Sequence, residues 1–65
     1  MTYRELRVLR IDLDISQCVV GKRLGKSQAA ISMYETGERP ISEYLAKRWE
    51  SVLRRFESRR ARVTN

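Results

Sequence analysis

The segment SQCVVGKRLGKSQAAISMYETGERPI, residues 16–41, holds two short helices and the corner between them. Ser16 has the side chain of an N-cap, whose oxygen accepts from a free N–H of the first helical turn. From it run Gln17, Val20, Gly21 and Leu24 at spacings of three and four, one face of a helix about two turns long. Gly25 follows the last periodic apolar residue, the position of a helix stop. Lys26 is a linker, and Ser27 caps the next helix. There Ala30, Ile31 and Tyr34 point inward, and Gln28, Ala29, Ser32 and Met33 point outward. Gly37 ends this helix, and Glu38, Arg39 and Pro40 make a loop.

On the N-terminal side, Thr2 and Glu5 have capping-box spacing. Tyr3, Leu6, Leu9, Arg10 and Leu13 lie on one stripe behind them, and Asp12 and Asp14 disfavour further extension. On the C-terminal side, Ile41 and Ser42 read as a staple residue and a cap. Leu45, Trp49, Val52, Leu53 and Phe56 then form an apolar stripe. No stretch alternates as a strand does. The expected fold is all-α: a small bundle of four to five helices with a long basic C-terminal helix. Residues 1–58 form one domain, and 59–65 form a basic, frayed tail.

With 65 residues, the chain has room for one domain that buries only about 60% of its unfolded surface. It has no histidine and a single cysteine, Cys18. An internal disulfide, a His-Cys metal site, imidazole acid–base chemistry and a Cys–His nucleophile are therefore excluded. Cys18 reads as an inert small apolar residue. Asp12, Asp14, Glu35 and Glu38 stand singly, and nothing resembles a phosphate-cradling loop, so no enzyme, metal or cofactor is expected. No apolar run approaches the roughly 18 residues of a membrane span, and no signal peptide opens the chain. A reducing cytoplasm is the expected compartment.

Lys and Arg number 14 against 8 Asp and Glu, a net charge of +6. Such a surplus suits a polyanion, most often nucleic acid, although a solvated basic surface gives the same count. Residues 46–62 hold seven basic groups (Lys47, Arg48, Arg54, Arg55, Arg59, Arg60 and Arg62) against Glu50 and Glu57, which is +5 of the +6. These arginines are either a solvated helix end or a contact for DNA phosphates or an acidic partner.

Two short helices joined by a tight glycine turn are the geometry of a helix-turn-helix. Glycine within a helix costs about 1 kcal/mol relative to alanine, so Gly21 suits a close helix crossing. Gly25 supplies positive φ in the turn, and Val20, Leu24 and Ile31 pin the second helix. Its outward face carries neither bulk nor negative charge at Gln28, Ala29, Ser32 and Met33, as entry into a DNA groove requires.

Ser16-Gln17, Val20-Gly21, Leu24-Gly25, Ser27-Gln28, Ile31-Ser32, Tyr34-Glu35, Gly37 and Arg39-Pro40-Ile41, in this order and spacing, resemble the lambda-repressor/Cro (XRE) helix-turn-helix family over roughly residues 6–53. Lys26 departs from the family's apolar turn residue and Gly21 from its usual alanine. Its last two helices are expected to be fused here. The resemblance implies a bacterial or phage transcriptional regulator, a repressor-type homodimer on a two-fold operator, with residues 27–36 as recognition helix. It implies base contacts from Gln28, Ala29, Ser32 and Met33. It also implies that Gln17 touches a phosphate and braces Gln28. A glutamine amide independently matches adenine N6/N7, and Ala29 and Met33 suit a thymine methyl. Lys22, Arg23, Lys26, Ser27 and Arg39 are placed for backbone contacts.

Alternatives remain at the level of sequence. Gln28 could merely face solvent, and Met33 could fill the core. Tyr34 and Trp49 read as core. Arg10, on an inward stripe, and Glu35, at a helix C-terminus, are expected to pair, as the family's repressors also imply. Val52 and Phe56, with Trp49 as a third candidate, exceed what a small core covers and are the expected dimer interface, with Val8 and Ile11 beside it. The competing assignment for them is completion of the monomer core. The competing function is a protein-interaction module, an antitoxin or anti-activator, whose basic terminal helix docks on an acidic partner.

Overall fold

A computed structural model of the chain describes the backbone of residues 1–63 and the side chains of 1–60. Four helices follow in order: α1 Tyr3–Asp12, α2 Gln17–Leu24, α3 Gln28–Thr36 and α4 Glu43–Val63. There is no strand among the described residues.

Each helix starts on a hydroxyl cap. Thr2 Oγ1 accepts from Glu5 N–H while Glu5 Oε1 accepts from Thr2 N–H, a closed capping box. Ser16, Ser27 and Ser42 accept from the N–H groups of Val19, Ala30 and Leu45. Gly25 and Gly37, both left-handed, stop α2 and α3. The end of α1 differs. Asp14, not glycine, takes φ 58°, and Ile15 N–H returns to the Arg10 carbonyl at 3.1 Å.

The helices close on a core of Leu6, Ile15, Val20, Leu24, Ile31, Tyr34, Leu45, Trp49 and Leu53. α3 packs on α1 and α2, and α4 packs across α1 and α2. Trp49 lies edge-on to Tyr34, with ring centroids 6.3 Å apart. It is fully buried, and its Nε1 has no hydrogen-bond partner among the described residues.

At the α2–α3 corner, Lys26 N–H bonds back to the Gly21 carbonyl at 2.8 Å. A Cβ at Gly21 would stand 2.6 Å from the Lys26 carbonyl oxygen. Only glycine therefore lets the corner approach the helix this closely.

α4 is one unbroken helix of 21 residues, so the fifth helix of the family pattern is fused into it. The helix continues through Val63, past residue 59 at which the sequence reading starts a frayed tail. Arg60 Nη1 donates to the Asp12 carbonyl at 2.8 Å and ties this stretch to the end of α1. Thr64 and Asn65 lie outside the described residues.

Val52 and Phe56 are half-buried and packed against the core. Part of each side chain stays outside the core, whereas Trp49, the third candidate for that interface, is fully buried and completes the monomer core. The large apolar side chains left exposed include Val8 at 65% and Ile11 at 55%. Cys18 is exposed, on the face of α2 away from Val20 and Leu24. No helix of the described residues is long and apolar enough to cross a membrane. None of them forms a cluster of three or more Cys, Asp or Glu able to hold a metal ion.

Candidate nucleic-acid interface

The interface is built on α3, and α3 is held by one carboxylate. Glu35 is the buried charged residue in its last turn. Arg10 Nε donates to Glu35 Oε2 at 2.6 Å, and Arg10 Nη2 to Oε1 at 2.9 Å. The fork is bidentate and the side chains are 12% and 2% exposed, the geometry in which an ion pair is strong and directional. Arg10 Nη1 donates to the Ile15 carbonyl at 2.7 Å, and Gln17 Nε2 to Glu35 Oε1 at 3.0 Å. One carboxylate thereby fastens α1, the α1–α2 link and the first turn of α2 to α3.

Gln17 is thus used differently from the resemblance. Its amide N–H goes to Glu35, not to Gln28. The signal for this was present in the sequence. Gln17 is the polar residue on the inward stripe of α2, and a half-buried amide needs an internal partner. The Ile15 carbonyl had no such signal, because every residue carries one.

On the outward side, Gln28 and Ala29 are exposed, Ser32 is half-buried and Met33 is 40% exposed. Ile31 and Tyr34 point into the core. Met33 is therefore not core filler. No acidic side chain interrupts this face before Glu35, whose charge is sequestered by Arg10. The N–H groups of the first turn of α3 and the helix dipole leave its N-terminal end electropositive.

The basic residues assigned to the DNA backbone separate into two groups. Lys22 and Lys26 are exposed. Arg39 lies over the Tyr34 ring at 5.6 Å, and its N–H bonds to the Met33 carbonyl at 3.2 Å, which folds the loop back on the end of α3. Ser27 caps α3. Arg23 instead turns toward α4, with its guanidinium 5.4 Å from the Phe56 ring centroid.

A family model described as helix-turn-helix matches residues 6–55, most of the chain, and covers all of α2 and α3. That family is one of DNA-binding regulatory domains. No curated protein and no solved structure matches the chain.

Proposed function

The chain belongs to the helix-turn-helix family, and from that premise we propose that it is a sequence-specific regulator of transcription, acting as a repressor on double-stranded DNA. α3 enters the major groove with Gln28, Ala29, Ser32 and Met33 toward base edges. Lys22, Lys26, Ser27 and Arg39 hold phosphates on either side. The protein is of bacterial or phage type and works in the cytoplasm. It acts as a homodimer on a two-fold operator, because one short helix makes too little contact for specificity, and two half-sites a helical turn apart supply the rest.

The observation that supports this best is the contrast across α3. Its outward face is small and uncharged, while the carboxylate that would repel DNA is buried and neutralised by Arg10. An uncharged face cannot attract DNA in general, so its contribution comes from hydrogen bonds and shape at particular bases.

Selection from a random duplex pool identifies the preferred site, and a binding series over its single-base variants at two salt concentrations tests the roles. Gln28→Ala weakens binding by about 1–3 kcal/mol and flattens preference at one base position. Arg39→Ala weakens all duplexes alike and lowers the salt slope by about 1. If neither substitution changes duplex binding, α3 does not read DNA.

A further inference from the structure

A second basic site lies between α2 and α4. Arg23, Val52, Arg55, Phe56 and Arg59 line a cleft of about 240 Å³. Phe56 and Val52, both half-buried, are its apolar part. Arg23 reaches the Phe56 ring from α2 at 5.4 Å, and Arg59 reaches it along α4 at 5.8 Å. Resting on an aromatic face restrains a guanidinium and leaves its N–H edge free for a carboxylate.

These three arginines have no carboxylate within 4.0 Å among the described residues. On the same helix, Arg54 meets both Glu50 and Glu57. Three like charges around a partly apolar cleft repel one another, and a bound anion relieves that repulsion. No residue of α3 lines the cleft.

We propose that this cleft docks an acidic segment of a partner protein, with carboxylates on Arg23, Arg55 and Arg59 and one apolar side chain on Phe56 and Val52. The apolar part distinguishes this ligand from DNA. A phosphodiester gains from the guanidiniums but not from the Phe56 face, whereas a peptide with acidic residues flanking an apolar one uses both. The site is separate from the α3 surface, so it stands or falls independently of the DNA reading.

The test uses fluorescence anisotropy with two labelled probes: a synthetic peptide of Asp and Glu around one central Leu, and the selected duplex. Arg55→Gln combined with Arg59→Gln weakens peptide binding by about tenfold or more, as expected for loss of two charge-assisted contacts. Lys47→Gln combined with Arg48→Gln removes the same net charge outside the cleft and weakens it less than about twofold. Replacing the peptide's Leu by Ser also weakens binding, and duplex affinity falls no further in the cleft variant than in the Lys47/Arg48 control. Equal losses in the two double variants would mean diffuse charge attraction and no site. Loss of duplex binding in the cleft variant alone would mean a phosphate site, and absence of peptide binding to the wild type would end the proposal. Each of these results overturns it.

Discussion

Glu35 depends on three donors from two side chains, and its substitutions separate their roles. Arg10→Met leaves a buried carboxylate without its cation, and removing one partner of a buried pair costs about 3–5 kcal/mol. Gln17→Ala leaves the Arg10 fork in place and removes one neutral donor, a loss of about 1–2 kcal/mol. Denaturant midpoints should therefore rank wild type above Gln17→Ala above Arg10→Met. Equal midpoints for Arg10→Met and wild type would show that the pair carries no stability. Two backbone positions act in opposite directions. Gly21→Ala gains about 1 kcal/mol of helix propensity but places a Cβ against the Lys26 carbonyl, so the corner must open and thermal unfolding moves to lower temperature. Asp14 sits at φ 58°, where a side chain costs roughly 1–2 kcal/mol. Asp14→Gly relieves this at the expense of a more flexible unfolded chain, for a net gain of up to about 1 kcal/mol by the same melt.

The helices carry their own start signals, and one of these is sensitive to pH. The Glu5 carboxyl accepts from the Thr2 backbone N–H, with the Thr2 hydroxyl beside it, which holds its pKa below the ordinary carboxylate value. A lowered folded-state pKa gives stability that is present above the unfolded-state value and is lost as pH falls through the folded one. Glu5→Gln keeps a capping-box acceptor without the titration, so its stability should fall less steeply than the wild type's across the acid side of the carboxylate range. Identical acid slopes in the two proteins would remove Glu5 from that dependence. Hydroxyl caps and glycine stops are local chemistry, so the helix order and both corners of α3 are legible in residues 2–42. Legibility ends where the outcome depends on neighbours. A helical stripe gives the face of Val52 and Phe56 but not the depth to which α1 and α2 cover it. Arg23 reads as a phosphate contact because it is basic and near the corner. Only the packing of α4 against α2 brings an aromatic ring under its guanidinium. Cys18 reads as apolar by residue type, yet the turn of α2 puts it in solvent. The tail from 59 reads as frayed because the chain offers no apolar anchor after Val63, and the bond from Arg60 to the Asp12 carbonyl is a long-range contact that residue type does not announce.

For the molecule as a whole, the apolar area left outside the core bears on how two copies meet. Val8 and Ile11 are exposed together on α1, and exposed apolar side chains that lie side by side are where a second copy would pack. In the homodimer reading, Val8→Glu with Ile11→Glu shifts the sedimenting species to monomer with helical content retained, and weakens binding to a two-fold site far more than to a half-site. An unchanged mass would move the interface elsewhere. Helix α4, about 30 Å long at 1.5 Å per residue, gives the molecule its 39 Å long axis against 20 and 17 Å for the others. Its anchor in the core is Trp49, the chain's single tryptophan, fully enclosed, with an indole N–H that has no acceptor among the described residues. This makes the protein its own optical probe. Emission from a buried indole lies to the blue of a hydrated one, so any event that opens the core around Trp49 appears as a red shift in one fluorophore. Peptide docking at the α2–α4 cleft or DNA docking at α3, if the core stays closed, leaves that colour unchanged.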